Sequence, residues 1–449
     1  MAALSKIIEI EPTHVDKHGS KSSIRNFRLS TESGGVSNSG ITVELSCLGA
    51  TITKILMPNY ASSSWDDVVL SYASPLEQHD DKNPPYFGCI VGRVANRIRQ
   101  GKFDLVQEQG ETVSYQLEQN NGTNHLHGGY DGFCHRVWEA EIWEEEERRA
   151  VRFTLVSPDG DQGYPGAIRV IADYSLVETE SGVKLSLSMR ASLLPGETKS
   201  TPISLAQHTY FNLAGHSHHA GILDHVLCMP NCPGFTPVDN TMIPMRVVRP
   251  VDTNDQGQQK ATCMDFRIEK NIGDSLVQYG REKVGLPKHI ATNNVVRRQA
   301  SDGAEHVARV PTKDDGNTSN LDGGEPYGFD HNYVIDNGSA NLTLAAVLSH
   351  PPTGRFLRVL TTAPGLQLYT SNYLDGTNPM LQLCKESQRY GQWQGLCLET
   401  QAFPDSIYRD GKKTIPKEES EFAKGRCFIL HPRGEEYSHT IEYLLGEMK

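Results

Sequence analysis

The sequence has no hydrophobic run that could cross a bilayer as a helix, which would take about 20 consecutive apolar residues. Its N-terminus, from Met1 to Ser20, is polar and charged, and it lacks the apolar centre of a secretory signal peptide. Neither a membrane protein nor an exported protein is therefore expected. The simplest prediction is a cytoplasmic protein with no membrane partner.

Basic residues are also in the minority. The 449 residues include 43 Lys and Arg against 55 Asp and Glu, which gives a formal net charge of -12. Proteins that bind nucleic acid usually carry a basic patch or stripe that neutralises phosphates, and the chain shows no such cluster. We therefore expect no nucleic-acid partner.

The cysteines do not form the pattern of a disulfide framework. There are nine of them, an odd number, scattered along the chain in apolar or strand-like surroundings such as those of Cys47, Cys89 and Cys397. This distribution is typical of buried, reduced thiols. It agrees with a cytoplasmic location.

The sequence also lacks the motifs of metal and nucleotide sites. His216, His218 and His219 crowd one loop, and Cys228 and Cys232 lie four apart, but neither group has a second ligand pair at the spacing of a metal site. No glycine-rich loop follows a strand and opens a helix, as nucleotide sites require. We therefore expect no metal and no cofactor.

What the sequence does contain is strand periodicity. Apolar and polar residues alternate in Ile41 to Leu45, in Val151 to Val156 and most clearly in Val183 to Met189, whereas runs at the helical period are scarce. The segment Glu141 to Ala150 fits a helix, but Trp138 to Trp143 also alternates, so both structures remain open there. The pattern predicts an all-β protein, a large antiparallel β-sandwich.

One segment departs from this pattern. Between residues 268 and 326 the composition changes, and Arg297 to Glu325 is rich in Asp, Gly, Asn, Ser and Thr with no period of either kind. Such a stretch is typical of a long solvent-facing insertion whose loss the fold tolerates. We therefore predict one domain over residues 1–449, with a polar insertion at about 268–326.

Three residues are candidates for acid–base chemistry. Glu399 lies in the alternating strand Leu396 to Gln401, before a turn at Pro404, while His127 and His208 lie in two other structured segments. A histidine titrates near pH 6.5, and burial raises the pKa of a glutamate toward neutrality. A pair of this kind can remove one proton while supplying another, which is what opening and closing a cyclic hemiacetal requires.

Each of these residues also has an ordinary structural interpretation. His127 precedes two glycines and fits a turn, His208 fits a hydrogen-bonded core position, and Glu399 fits a solvated strand. Their separation along the chain does not decide the matter, because a catalytic set is defined by its geometry. Taken one at a time, the three residues leave both interpretations open.

Eight short motifs occur in an order that resembles the aldose 1-epimerase (galactose mutarotase) family. They are Gly92 to Ile98, Leu126 to Gly129, Gly163 to Gly166, His208 to Gly215, Phe329 to Asn332, Pro364 to Gln367, Asn372 to Gly376 and Cys397 to Gln401. The motifs run from Gly92 to Gln401, and the resemblance covers the chain from about residue 40 to the C-terminus. The resemblance implies a galactose mutarotase-like supersandwich that interconverts the α and β anomers of free aldohexoses such as galactose and glucose without a cofactor.

The resemblance also implies roles for individual residues. Glu399 matches the catalytic base, His208 the catalytic acid that protonates the ring oxygen, and His127 a second active-site histidine. The positions that match sugar-binding residues are Asn96, Arg97, Asp330 and Gln367, with Tyr210 placed two residues beyond the acid. The implied partner is a small-molecule sugar, and a monomer is expected.

Two departures from the family pattern lie beside the acid. Gln207 stands where the family commonly has asparagine, and Thr209 where it has serine, so we expect altered hydrogen bonds around His208 and unaltered chemistry. Two other functions remain open. One is a sugar-binding protein that has lost turnover, and the other is an epimerase of phosphorylated hexoses, for which Arg93 and Arg97 could supply positive charge.

Overall fold

The structure is a computed structural model of the chain, and it describes most of the 449 residues. The described ranges are 5–17, 20–31, 40–62, 64–80, 84–107, 110–145, 148–254, 257–284, 296–299, 305–309, 328–336, 341–374, 384–407 and 421–448. The polar stretch Arg297 to Glu325 therefore lies mostly outside the described residues.

Strands dominate these ranges. They are β1 Lys6–Lys17, β2 Ser20–Ser30, β3 Thr42–Ser46, β4 Thr51–Pro58, β5 Trp65–Asp67, β6 Ile90–Val91, β7 Arg97–Ile98, β8 Lys102–Val106, β9 Thr112–Gln116, β10 His125–Leu126, β11 Glu139–Glu145, β12 Arg148–Ser157, β13 Ile168–Thr179, β14 Gly182–Leu193, β15 Thr201–Ile203, β16 Ala206–Gln207, β17 Tyr210–Phe211, β18 Val226–Cys228, β19 Gly234–Thr236, β20 Arg249–Pro250, β21 Lys270–Asn271, β22 Val296–Gln299, β23 Glu305–Arg309, β24 Asp330–Val334, β25 Thr343–His350, β26 Arg355–Thr361, β27 Gly365–Tyr369, β28 Leu396–Gln401, β29 Phe428–Leu430 and β30 Tyr437–Glu447.

Helices are few and short. The α-helices within the described ranges are α1 Pro75–Asp80 and α2 Ile272–Tyr279, and the latter continues into a π-turn at Gly280–Val284. Short 3₁₀ turns occur at Arg99–Gly101, Phe133–His135, Asp161–Gly163, Pro351–Thr353, Lys385–Ser387 and Phe422–Gly425. A search of the described residues finds no helix that is long and apolar enough to cross a membrane.

The strands form three large antiparallel sheets. A nine-stranded sheet runs in the order β11-β12-β13-β14-β30-β26-β25-β18-β21, a six-stranded sheet in the order β17-β28-β27-β24-β19-β20, and a five-stranded sheet from β1 to β5. One hydrophobic core joins them, with Phe27 from the five-stranded sheet, Leu187 from the nine-stranded sheet and Leu398 from the six-stranded sheet. The predicted all-β antiparallel sandwich is confirmed.

The alternation read from the sequence explains why these segments form strands. In β14, Val183, Leu185, Leu187 and Met189 are buried and the residues between them are half-buried, because successive side chains of a strand point to opposite faces. The ambiguous segment Glu141 to Ala150 belongs to the hairpin of β11 and β12. Its alternation, rather than its helical period, was the correct guide.

Part of the predicted insertion belongs to the body of the fold. Within residues 268–326, β21 pairs with β18 at the edge of the nine-stranded sheet, and α2 buries Ile272 and Leu276 in the core. The side chain of Asn271 caps α2 by accepting a hydrogen bond from the backbone N–H of Asp274. Residues 270–284 are therefore structural, whereas the single-domain organisation of the whole chain stays a prediction.

The turn that carries His127 depends on the glycine that follows it. Gly128 has φ +87°, and a Cβ added there would lie 1.9 Å from the backbone oxygen of Gly92. A residue with a side chain would therefore need both an unfavourable backbone conformation and a displacement of the neighbouring loop. Glycine is required at position 128 because the backbone of Gly92 lies so close to it. This glycine also sets the path of the chain directly after His127.

We predict that Gly128→Ala destabilises the protein by more than the backbone conformation alone would cost. A left-handed conformation costs a non-glycine residue about 1–2 kcal/mol, and the contact with Gly92 adds to that cost. The free energy of unfolding, measured in urea, should reveal the loss.

The matched control is Gly196→Ala. Gly196 has φ +85°, and a Cβ added there would meet no described atom within 4 Å, so this substitution isolates the conformational cost. Equal losses of unfolding free energy in the two variants would contradict the proposed contact between residue 128 and the Gly92 backbone.

Candidate active site

The floor of the candidate site is one face of the six-stranded sheet. The register pairs Asn332 of β24 with Gln367 of β27, and Gln367 with Glu399 of β28, so three polar side chains form a row across three strands. Their neighbours Leu366 and Leu398 point to the opposite face and pack in the core. Strand alternation and register are therefore what place Glu399 on the polar face.

His208 is held at the edge of this face by its backbone. Its N–H donates to the carbonyl oxygen of Cys89, and its own carbonyl oxygen accepts from the N–H of Gly88, each at 2.9 Å. The Gln207 side chain donates to the Gly88 carbonyl oxygen at 2.7 Å and accepts from the Thr209 N–H at 3.0 Å. Gln207 thus fixes the backbone on both sides of the histidine, in the supporting position expected from the sequence.

His127 enters the site from the turn after β10. The ring Nδ1 of His127 accepts a hydrogen bond from the backbone N–H of Asn96 at 3.1 Å. The backbone N–H of His127 donates to the Asn96 carbonyl oxygen, also at 3.1 Å. Since Nδ1 is an acceptor, the proton of the neutral ring is on Nε2. His127 therefore offers an N–H donor to the site.

The three predicted acid–base residues meet. One ring nitrogen each of His127 and His208 and one carboxylate oxygen of Glu399 all lie within 4.8 Å of one another. The His208 Nε2 and Glu399 Oε1 atoms are 3.5 Å apart, and these side chains are only 5% and 3% exposed. Residues separated by 191 positions in the sequence are thus in position to share a proton or a substrate oxygen.

Aromatic rings define the orientation of the histidines. Tyr86 packs against both His127 and His208, with ring centroids 4.6 and 5.6 Å away. Tyr210 stacks on His208 at 5.2 Å, and its hydroxyl donates to the carbonyl oxygen of Pro85. Tyr86 is therefore a wall of the site, and Tyr210 is a support behind the His208 ring.

The aromatic residues next to Tyr86 and Tyr210 in the sequence, Phe87 and Phe211, lie elsewhere. Phe87 packs with Tyr72, Tyr210 and Tyr390 in a separate hydrophobic cluster, and Phe211 belongs to the main core. Both rings are fully buried in apolar surroundings.

Burial controls the electrostatics of the carboxyl groups. Loss of solvent, followed by the charge of Asp330, raises the pKa of Glu399 well above its ordinary value, and the positive charge of Arg97 opposes this rise. Burial likewise raises the pKa of Asp330, against the opposing effects of Arg97 and the Gln367 side chain. A carboxyl group with a raised pKa is a stronger base once it is ionised.

Burial has the opposite effect on the histidines. It lowers the pKa of His208 to about 4, and it lowers the pKa of His127 well below its ordinary value, assisted by the neighbouring His208 and Arg97. The site thus favours neutral rings near pH 7. Both pKa shifts favour the neutral form of each group, a carboxylic acid beside an imidazole.

The remaining predicted binding residues surround the same floor. Gln367 donates to the Asp330 carboxylate at 2.6 Å, and Arg97 donates through Nε to the Asn121 side chain at 3.0 Å. The side-chain oxygen of Asn96 accepts from the Arg97 backbone N–H at 2.8 Å. These hydrogen bonds hold the polar groups in fixed orientations around the cleft.

Several buried polar atoms on this floor have no hydrogen-bond partner among the described residues. They are Oε2 of Glu399, Oε1 of Gln367 and Oδ1 of Asn332. A buried acceptor without a partner costs about 1–3 kcal/mol, so these atoms indicate a ligand that brings hydroxyl donors. A sugar carries a rim of such hydroxyls.

Two residues of the site were not predicted from the sequence as functional. Asn332 lies in the same polar row as Gln367 and Glu399, and Cys397 places its Sγ 3.7 Å from Nδ1 of His208. Each is two positions from a predicted residue, Asp330 or Glu399, on the same strand. Residues two apart on a strand point to the same face, and this alternation could have identified both residues from the sequence.

The site also contains a possible set of metal ligands. His127, His208 and Glu399 present two nitrogens and one carboxylate within coordination range of a common point. The nearby charge of Arg97 disfavours a cation there, since it also opposes protonation of Glu399. The arrangement is better suited to proton transfer.

Comparisons with known proteins identify the family of the chain. The family model described as "Aldose 1-epimerase" matches residues 36–427. The chain is similar to the galactose mutarotase of Mus musculus, with 33% identity over 400 residues that cover 89% of this chain and 90% of the relative. It is also similar to the aldose 1-epimerase of Escherichia coli strain K12, with 30% identity over 406 residues that cover 90% and 92%.

A solved structure shows the same fold. The galactose 1-epimerase of Lactobacillus acidophilus NCFM aligns with a TM-score of 0.65 and 25% identity, over 99% of each chain. Family model, relatives and fold all cover nearly the full length of the chain, so the agreement is not limited to one motif. The chain belongs to the aldose 1-epimerase family, and it is an enzyme that interconverts the anomers of aldoses.

Proposed function

We propose that the chain catalyses mutarotation of free aldohexoses by acid–base ring opening, with Glu399 as base and His208 as acid. The observation that carries this proposal is the buried pair of Nε2 and Oε1 atoms, 3.5 Å apart, on a floor with partnerless polar acceptors. The anomeric hydroxyl and the ring oxygen are bonded to the same carbon. Two groups this close together can therefore contact both oxygens at once.

The proton transfers balance within the site. Glu399 removes the proton of the anomeric hydroxyl, the C1–O1 bond becomes a carbonyl, and the C1–O5 bond breaks as His208 protonates O5. Rotation about C1–C2 then turns the other face of the aldehyde toward O5. In reclosure, His208 takes back the O5 proton and Glu399 returns a proton to O1, so the enzyme ends unchanged.

The active form of the pair is a carboxylate beside an imidazolium. It holds the same single proton as the neutral pair of carboxylic acid and imidazole, so a transfer between Oε1 and Nε2 interconverts them. Because both forms contain one proton, their ratio does not depend on pH. What depends on pH is the population of the one-proton state.

Sugar hydroxyls would be held by the polar groups around the pair. The Nε2–H of His127 is a donor placed near the reacting oxygens, and Asp330 and Gln367 offer acceptors to hydroxyls at the floor. Arg97 and Asn96 contribute a guanidinium and an amide at the rim. For Tyr210, whose hydroxyl is already engaged, we propose support of the His208 ring in place of direct sugar binding.

The substrates that we propose are galactose and glucose, since relatives are named for galactose. A monomer and a cytoplasmic location remain part of the proposal. All nine cysteines are free thiols in the structure and eight are buried, which fits a reducing compartment.

We predict that Glu399→Gln and His208→Asn each reduce the mutarotation rate by about 100- to 10,000-fold, because general acid–base groups typically contribute that much. Polarimetry on freshly dissolved α-D-galactose measures the rate, with the spontaneous rate subtracted. Glu436→Gln, the same change at an exposed position, should leave the rate unchanged.

A wild-type protein that does not accelerate the change in optical rotation would support the sugar-binding alternative and refute turnover. Stronger competition by galactose 6-phosphate than by galactose would support the phosphohexose alternative. Full activity in the Glu399→Gln variant would remove Glu399 from the mechanism.

We also predict a bell-shaped pH profile for kcat/KM. Below a pH of about 4 the rate should fall, because His208 becomes protonated while Glu399 keeps its proton and the pair then holds two protons. At high pH the rate should fall again, because Glu399 loses its proton and the pair then holds none. Since the charge of Asp330 helps to raise the pKa of Glu399, Asp330→Asn should move the alkaline limb to lower pH.

The control for the pH experiment is Asp336→Asn, the same change at an exposed residue shortly after β24. Its profile should match that of the wild type. An alkaline limb that stays in place in Asp330→Asn would show that Glu399 does not control it.

A further inference from the structure

A second cluster of histidines and a carboxylate lies outside the candidate active site. It consists of His218 and Asp224 in the loop between β17 and β18, His225 beside them, and His350 at the end of β25. His218 also lines a cavity of about 610 Å³ whose other walls include Lys54, Trp65, Lys385 and Glu386. None of the residues assigned to sugar binding or acid–base chemistry lines this cavity.

Two histidine nitrogens of this cluster lie close to one carboxylate oxygen of Asp224. Oδ2 of Asp224 lies 3.1 Å from Nε2 of His350 and 3.5 Å from Nε2 of His218. All three atoms lie within 4.8 Å of one another. Tetrahedral Zn²⁺ with bonds to nitrogen and oxygen puts its donor atoms about 3.3–3.5 Å apart. Two of the three separations are therefore close to the required values.

The surrounding hydrogen bonds orient the donor atoms. His225 accepts from the Leu213 backbone N–H through Nε2 at 2.9 Å, so its Nδ1 carries the proton and donates to Oδ1 of Asp224 at 3.1 Å. On the other side, Nδ1 of His350 is hydrogen-bonded to the Thr353 hydroxyl at 2.8 Å. Metal ligands usually have their second nitrogen or oxygen engaged in this way.

An independent observation indicates a missing ligand. Nε2 of His218 is buried and has no hydrogen-bond partner within the described part of the chain, although it faces the Asp224 carboxylate. A buried ring nitrogen without a partner is costly, whereas a bound cation would satisfy it. The nitrogen lies 3.5 Å from Oδ2, at the outer limit of a hydrogen bond.

We propose that His218, Asp224 and His350 form a site for a divalent transition-metal ion, with Zn²⁺ as the ion that best fits two imidazoles and one carboxylate. Three protein ligands leave the fourth position of a tetrahedral ion to water. The ion would connect the loop after β17 to the end of β25. This inference does not depend on the proposed roles of Glu399 and His208.

Zinc titration of the full chain, after treatment with a chelator, tests the proposal. Calorimetry should show one Zn²⁺ per wild-type chain, and His218→Ala should weaken its affinity by at least about tenfold. His218 is partly exposed in a loop, so this variant should fold. His350→Asn, which removes Nε2 and keeps a polar group near Thr353, should weaken the affinity as well.

Two controls make the result specific. His219→Ala alters the adjacent histidine of the same loop, and Glu399→Gln alters the other possible set of metal ligands, so both should bind Zn²⁺ as the wild type does. The proposal is overturned if the wild type binds no Zn²⁺ in the micromolar range. It is also overturned if Glu399→Gln abolishes binding, or if His219→Ala weakens it as much as His218→Ala.

Discussion

The proposed chemistry depends on a carboxyl group and an imidazole that are buried together. Glu399 and His208 are almost fully excluded from solvent and lie 3.5 Å apart. Burial of one ionised group alone would cost several kcal/mol, and such a group normally becomes neutral instead. The pKa shifts of both groups favour their neutral forms, which avoid that cost. The same condition that makes the pair stable in an apolar site makes it able to exchange protons with a bound hydroxyl.

The sheet supplies the precision that this pair needs. Asn332, Gln367 and Glu399 lie on three adjacent paired strands, so their separations are set by backbone hydrogen bonds rather than by loops. His127 and His208 come from turns, but the backbone of each is hydrogen-bonded to a neighbouring segment, through Asn96 and through Cys89. The rigid face and the anchored turns together leave little freedom to the side chains that we propose as reacting groups, which is what an acid–base site requires.

Sequence reasoning predicted the strands and the candidate residues for different reasons. Alternation in Val183 to Met189 predicted a strand because burial of one face is a local property. Sequence patterns alone could not place His208 beside Glu399, since their contact depends on the pairing of β17 with β28 across the chain. The sequence did not identify α2 within the predicted insertion, because the helix is only eight residues long.

The two clusters of histidine and carboxylate differ in what surrounds them. The positive charge of Arg97 lies near Glu399 and disfavours a cation there. The buried acceptors of the floor that have no hydrogen-bond partner favour a ligand with hydroxyl donors. Asp224, in contrast, is contacted by three histidines, and the partnerless atom there is a ring nitrogen that faces a carboxylate. Spacing in the sequence missed this second set because His350 lies 126 residues beyond Asp224. Similar side chains can therefore serve proton transfer in one place and cation binding in another, because neighbouring charge and unfilled hydrogen bonds decide the ligand.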